Sequence, residues 1–116
     1  MNIALIGYGK MGKEIEAIAL KRNHTIVLKV DKDNADTFIL DDLKKADVAI
    51  EFSTPDTVVD NIKKCIVAQV PIVVGTTGWY DKYDYIKNFI FYCICVMSYP
   101  YNMLHIKVKN GILNPF

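Results

Sequence analysis

Short runs of consecutive apolar residues alternate along the chain with segments in which apolar residues recur every three or four positions. Short apolar runs are typical of strands buried on both faces, and the wider spacing is typical of amphipathic helices. The runs predict strands over residues 2–6, 25–30, 48–52 and 72–74, and the spaced segments predict helices over 10 to about 22, 41–46 and 55 to about 69. This alternation predicts an α/β fold in which helices cover both faces of a parallel sheet.

The first strand leads directly into Gly7-Tyr8-Gly9-Lys10-Met11-Gly12, a G-x-G-x-x-G pattern that opens the first helix. Gly7 allows a sharp turn off the strand, Gly9 allows backbone to approach a pyrophosphate, and Gly12 allows the helix to pack closely on the sheet. The N–H groups at the helix N-terminus favour a bound anion. With strands on both sides and Asp31 after the second strand, the pattern predicts a Rossmann-like dinucleotide site.

Asp31 and Lys32, at the end of the second strand, bear on the choice of cofactor. A carboxylate here accepts a hydrogen bond from a ribose 2′-OH and repels a 2′-phosphate, whereas an adjacent cation can pair with that phosphate. Both NADH and NADPH are therefore consistent with the sequence. The alternative is that the two residues only form a polar turn.

Size and charge exclude several classes of function. The 116 residues suffice for one sheet with its helices, but not for a nucleotide domain together with a full substrate domain. A formal net charge of +1 without a basic run gives no electrostatic footprint for nucleic acid. No segment resembles a secretory leader, and the apolar stretch over residues 89–97 is too short to span a bilayer, so we expect a cytoplasmic protein.

The three cysteines, Cys65, Cys93 and Cys95, form an odd set without secretory context, which argues against a disulfide framework. If residues 89–97 form a strand, Cys93 and Cys95 lie on one face of it and could be half of a metal site. No matching pair of ligands follows. Small buried side chains are the simpler interpretation.

Acidic residues disappear in the last quarter of the chain. All 13 lie at or before Asp84, whereas residues 88–116 contain none and hold six of the 13 aromatic residues. One interpretation is a buried fifth strand over residues 89–97 followed by a short hairpin. The other is that residues 88–116 are an atypical tail, produced by truncation or a shifted reading frame, behind a nucleotide-binding domain of residues 1–87.

Two further motifs follow the glycine loop along the chain. Val48-Ala-Ile-Glu-Phe-Ser-Thr-Pro55 surrounds the end of the third strand, and Gly75-Thr76-Thr77-Gly78-Trp79 follows the fourth strand. In their order and spacing, the three motifs strongly resemble the dihydrodipicolinate reductase (4-hydroxy-tetrahydrodipicolinate reductase) family of bacterial lysine and diaminopimelate biosynthesis. The resemblance covers about residues 1–87.

The resemblance implies roles for individual residues. The loop Gly7, Tyr8, Gly9, Lys10, Met11 and Gly12 would hold the pyrophosphate, Asp31 and Lys32 would read the adenosine ribose, and Gly75, Thr76 and Thr77 would contact the nicotinamide side. Phe52, Ser53 and Thr54 would line the cofactor, although capping of the following helix explains Ser53 and Thr54 equally well.

The sequence departs from the family after these motifs. The family's His-His-x-x-Lys and Ser-Gly-Thr motifs, which supply the proton donors and the grip on a substrate carboxylate, do not occur, and His105 and Lys107 lack the required context. The substrate domain is therefore expected to be absent, and no catalytic residue is assigned.

Two functional hypotheses stay open. One is the NAD(P)H-binding part of a reductase acting on a small cyclic dicarboxylate, which needs the missing domain. The other is an inactive nucleotide-binding module. The family is homo-oligomeric, a property that this chain need not share.

Overall fold

A computed structural model of the chain describes residues 1–97, 106–108 and 111–113. Its sheet has six strands in the order β2-β1-β3-β4-β5-β6. Neighbouring strands from β2 to β5 are parallel, and β6 pairs antiparallel with β5. The strands are β1 (Asn2–Ile6), β2 (Thr25–Val30), β3 (Val48–Glu51), β4 (Ile72–Val74), β5 (Ile106–Val108) and β6 (Gly111–Leu113). The predicted α/β fold and its first four strands are confirmed.

Helices connect the strands, as the spacing of apolar residues predicts. They are α1 (Lys10–Lys21), α2 (Leu40–Leu43), α3 (Val58–Ala68) and α4 (Tyr83–Met97), with a 3-10 turn at Tyr80–Lys82 before α4. The helix predicted over residues 41–46 is a single turn that begins one residue earlier.

The core consists of two layers, one on each face of the sheet. Ile3 and Leu5 pack with Ala19 of α1 on one face. Ala4 and Ile6 belong to the larger cluster on the other face, which includes residues of α2, α3 and α4. Successive side chains of a strand point to opposite faces, so a strand covered on both sides must be apolar at every position. This explains the continuous apolar runs.

The prediction of a strand over residues 89–97 is wrong, because this segment belongs to α4. Ile86, Ile90 and Cys93 are fully buried, at spacings of four and three, and contribute to the core, whereas Tyr92 and Val96 are exposed. A short apolar run cannot be distinguished by composition from a buried helix segment. Here the helical spacing begins upstream of the run and continues through it.

The same correction separates the two cysteines. Cys93 is buried and Cys95 is exposed, because residues two apart on a helix do not share a face. Among the described residues no group of three or more His, Cys, Asp and Glu side chains could hold a metal ion. In the same part of the chain, no helix is long and apolar enough to cross a membrane.

The predicted boundary between a nucleotide-binding domain of residues 1–87 and a tail of residues 88–116 falls inside α4. This division of the chain stays a prediction. The hairpin expected near the end of the chain corresponds to β5 and β6. His105 lies outside the described residues.

The helix predicted from Ser53 and Pro55 begins later than expected. Residues 55–57 form a turn, and α3 begins at Val58 after Thr57, without a side-chain cap. Ser53 is not the N-cap, because its hydroxyl donates to the buried carboxylate of Glu51 instead.

Candidate functional site

The candidate site lies at the carboxyl ends of β1, β3 and β4. β1 lies between β2 and β3: the chain runs from β1 to β2 on one side, then crosses back to β3 on the other side, and β4 and β5 continue in that direction. In open α/β sheets, ligands bind in the crevice at such a change of direction. Three backbone bonds extend the strands into the loops: Gly7 N–H to Val30 O at 2.7 Å, Phe52 N–H to Ile6 O at 2.7 Å, and Gly75 N–H to Glu51 O at 2.8 Å.

The glycines of the first loop have different spatial requirements. Gly7 has φ +92°, and a Cβ there would lie 2.1 Å from the carbonyl oxygen of Phe52. A Cβ at Gly12 would lie 2.6 Å from the carbonyl oxygen of Gly7. At Gly9, in contrast, a Cβ would meet no atom within 4 Å. Gly7 and Gly12 are therefore needed for packing, and Gly9 borders open space.

The N-terminus of α1 begins at this open space. Gly9 occupies the N-cap position, no side chain caps the helix, and the first turn contains no acidic residue. The first backbone N–H groups of a helix have no partner within it, so this end offers donors and a favourable dipole to an anion.

Two clefts meet at Gly9, Phe52 and Ser53. The Asp31 cleft, of about 410 Å³, is lined by Ile6, Gly7, Tyr8, Gly9, Val30, Asp31, Lys32, Asp33, Ala35, Phe52, Ser53, Thr54, Thr57 and Asn61. The Thr76 cleft, of about 400 Å³, is lined by Gly9, Lys10, Met11, Phe52, Ser53, Pro55, Gly75, Thr76 and Thr77. Every predicted cofactor residue except Gly12 lines one of them, and Gly12 is buried beside the loop. The structure thus brings these residues together, while their contacts with a ligand stay a prediction.

Asp31 takes part in a turn as well as facing the cleft. Its Oδ1 accepts hydrogen bonds from the N–H groups of Asp33 at 2.9 Å and Asn34 at 3.3 Å, while its own N–H donates to Asn34 Oδ1 at 2.8 Å. These bonds leave Oδ2 unused within the described part of the chain. Lys32 is exposed and takes part in none of the ion pairs of the described residues.

Tyr8 is fixed by contacts outside the cleft. Its hydroxyl donates to Glu16 of α1, and the other oxygen of Glu16 pairs with Lys29 of β2 at 2.9 Å. The hydrogen bond from Tyr8 is the main cause that lowers the pKa of Glu16, and the same bond raises the pKa of Tyr8. The glycine loop is thereby joined to both α1 and β2.

Glu51 is a site residue that sequence reasoning missed. It is the last residue of β3, its side chain is fully buried, and it accepts hydrogen bonds from Ser53, Asn61 and Thr76. A signal existed in the sequence, because a single acid at the end of an apolar strand run is unusual in a buried position.

The loop after β4 is supported from below by aromatic residues. Trp79 is buried and stacks on Tyr83 with ring centroids 5.2 Å apart, while its Nε1 donates to the carbonyl oxygen of Thr76 at 2.9 Å. A Cβ at Gly75 would lie 2.2 Å from the ring of Phe52. These contacts hold the Gly75–Thr77 backbone against the loop that follows β3.

A family model described as "Dihydrodipicolinate reductase, N-terminus" matches residues 1–101. The chain belongs to this family. The match extends beyond residue 87, where the recognisable motifs end. The N-terminal domain of the family binds a nicotinamide dinucleotide.

Several curated relatives carry the name 4-hydroxy-tetrahydrodipicolinate reductase. The protein of Christiangramia forsetii is 49% identical over 83 residues, which cover 72% of this chain and 34% of that relative. The protein of Staphylococcus haemolyticus is 33% identical over 89 residues, covering 71% and 36%. That of Staphylococcus epidermidis is 36% identical over 84 residues, covering 67% and 34%. The chain thus spans about a third of the length of the relatives that it matches.

Proposed function

We propose that the chain is the NAD(P)H-binding part of a 4-hydroxy-tetrahydrodipicolinate reductase of lysine and diaminopimelate biosynthesis. The observation that carries this proposal is the open space at Gly9, at the N-terminus of α1 and at the junction of the two clefts. A side chain at this position would project into that open space.

The two clefts suggest how an extended dinucleotide would lie. Its pyrophosphate fits at Gly9, where the helix N-terminus supplies donors. The adenosine half then extends into the Asp31 cleft, because a carboxylate after the second strand suits a ribose hydroxyl. The nicotinamide half extends into the Thr76 cleft, where hydroxyl and backbone groups are available for a carboxamide.

The cofactor would supply hydride chemistry, and the chain would bind and orient it. These 116 residues lack the family's proton-donor and carboxylate-gripping motifs. Reduction of a cyclic dicarboxylate would therefore require groups outside these 116 residues.

Calorimetric titration of the 116-residue chain with NADH and with NADPH tests the binding proposal. We expect saturable binding of at least one cofactor, and loss of the binding heat in Gly9→Val, because the new side chain would occupy the pyrophosphate position. Ala17→Val adds similar bulk to an exposed position of α1 and should bind as the parent does. Absence of binding by a folded parent chain would refute the proposal.

Cofactor preference is expected to depend on Asp31 and Lys32. Asp31→Ala should weaken NADH more than NADPH, since the carboxylate serves the 2′-OH but opposes a 2′-phosphate. Lys32→Ala should have the reverse preference, by about 1 kcal/mol or less because its side chain is exposed. Comparison of dissociation constants for both cofactors tests this prediction. Equal losses would mean that the two residues only shape the turn.

A further inference from the structure

The carboxylate of Glu51 lies beneath the loops that follow β3 and β4 and joins them. Its Oε1 accepts hydrogen bonds from Ser53 N–H at 3.1 Å, from the Ser53 hydroxyl, and from Asn61 Nδ2 at 3.3 Å. Its Oε2 accepts the hydroxyl of Thr76 at 2.7 Å. None of the ion pairs in the described residues includes Glu51. A fully buried carboxylate group is thus held by neutral donors alone.

An ionised carboxylate can only accept hydrogen bonds. The hydroxyls of Ser53 and Thr76 must therefore direct their protons toward Glu51, and only their lone pairs are available elsewhere. For Ser53 these lone pairs are used, because its Oγ accepts from Thr57 Oγ1 at 2.9 Å and from Asn61 Nδ2 at 3.2 Å. Ser53 lines the clefts, but its hydroxyl has no hydrogen-bonding capacity left.

The Thr76 hydroxyl is different. Its Oγ1 donates to Glu51 in a buried hydrogen bond and accepts none from any residue that the structure describes, and Thr76, although only 8% exposed, lines the cleft beside Gly9. Because its proton is directed to Glu51, this hydroxyl can act toward a ligand only as an acceptor. It therefore selects a ligand group that carries a hydrogen to donate.

We propose that Glu51 is a positioning residue that fixes the Thr76 hydroxyl as a hydrogen-bond acceptor for the carboxamide NH₂ of the nicotinamide ring. This inference rests on the proposed function, which places the nicotinamide half in the Thr76 cleft. The carboxamide carries the donor that this polarity requires, and an oxygen-only substituent does not.

Two ligands that differ in a single group test the polarity. NADH carries a carboxamide, whereas reduced 3-acetylpyridine adenine dinucleotide carries an acetyl group, in which a methyl replaces the NH₂ and the carbonyl is kept. Both are titrated calorimetrically into the parent chain and its variants, and thermal unfolding confirms that each variant is folded. If the Thr76 hydroxyl acted as a donor, it would bind the carbonyl that both ligands share and would not distinguish them. If it acts as an acceptor, it can bind the NH₂ that only NADH carries, so the two ligands bind differently.

We expect the parent to bind NADH more tightly than the acetyl analogue. Thr76→Val should weaken NADH about fivefold, the value of one neutral hydrogen bond, and leave the analogue unchanged. Thr76→Ser keeps the hydroxyl and should retain the preference for NADH. Thr25→Val removes an exposed hydroxyl outside the site and is the matched control.

Glu51→Gln tests the role of the carboxylate directly. In this variant the side-chain amide oxygen can still accept the three hydrogen bonds that Oε1 accepts in the parent. The side-chain NH₂ takes the place of Oε2 and donates to the Thr76 oxygen, so the proton of the Thr76 hydroxyl turns toward the cleft. The preference for NADH should disappear as it does in Thr76→Val. Glu14→Gln, at an exposed position of α1, is the matched control and should retain the preference.

The outcomes separate the two proposals. Failure of the folded parent to bind either ligand refutes the proposed function. Binding of both by the parent, with equal losses for both in Thr76→Val, refutes the acceptor role and with it the proposed role of Glu51. The Thr76 variants decide this point even if Glu51→Gln does not fold.

Discussion

Gly7 and Gly9 are separated by one residue, but a side chain would meet very different surroundings at the two positions. Gly7 combines a positive φ with close approach to the carbonyl of Phe52, whereas Gly9 borders open space. The glycines of the G-x-G-x-x-G pattern therefore meet two different requirements. One glycine allows the chain to fold, and the other leaves room for a ligand.

Alanine substitution should separate these requirements. Gly7→Ala is expected to lower the free energy of unfolding by about 2–4 kcal/mol, because it adds backbone strain and a steric clash. Gly9→Ala should change it by less than about 1 kcal/mol. Urea unfolding followed by the fluorescence of Trp79, the only tryptophan, measures both values. Equal stability of the two variants would contradict the geometry described for Gly7.

The cysteines are expected to differ strongly in reactivity. Burial, with a smaller contribution from the charge of Glu51, raises the pKa of the Cys65 thiol to about 12. Burial also raises the pKa of Cys93, whereas Cys95 is exposed. The thiolate is the reactive form, so titration of the native chain with a disulfide reagent at pH 8 should modify Cys95 alone. Addition of denaturant should expose the other two. Rapid reaction of two thiols in the native chain would contradict this prediction.

At the level of elements, α4 is where sequence and structure disagree most. The run over residues 89–97 has the composition of a strand, but Ile86 before the run and Ile90 within it follow the helical spacing, and α4 packs against α3. Neighbouring context decided the conformation, as it often does for short apolar runs. Strands β1 to β4 were easier to predict, because glycines, prolines and polar turns bound them.

Alanine substitutions in α4 distinguish the two conformations. Ile90 is fully buried and Val96 is 62% exposed. Ile90→Ala should therefore cost about 2–5 kcal/mol of stability, while Val96→Ala should stay within about 0.5 kcal/mol. In a strand these two residues would share one face. Similar losses in both variants, measured by urea unfolding, would favour the strand.

On the scale of the whole molecule, the sheet order determines what the site contains. Residues far apart in sequence, from Gly7 to Thr77, come together because parallel strands deliver their carboxyl ends to one edge. The described site supplies contacts suited to a dinucleotide. The family's proton-donor motif does not occur in the 116 residues.

We therefore expect the 116-residue chain to bind cofactor without reducing substrate. Stabilisation of a transition state needs a proton donor and a grip on the substrate carboxylate. A steady-state assay that follows NADPH oxidation with freshly generated substrate tests this prediction, with a full-length reductase as the positive control. Turnover comparable to that control would show that the chain contains a catalytic group that its motifs do not reveal.

The sequence by itself determined the local features of this protein: four strands, the glycine loop before α1, and the acidic residue after β2. These features depend on residues that are adjacent in sequence, such as glycines at turns and apolar runs between polar turns. The sequence alone therefore contains the information that specifies them. The family could be recognised for the same reason, because its motifs are short and contiguous.

Only the tertiary structure decided the conformation of residues 89–97 and the role of Glu51. The first depends on which side of the segment packs against α3, and the second on donors from three separate segments that converge on one carboxylate. Burial and hydrogen-bond polarity arise from contacts between residues distant in sequence. A pattern along the chain therefore does not contain them until the strands are brought side by side.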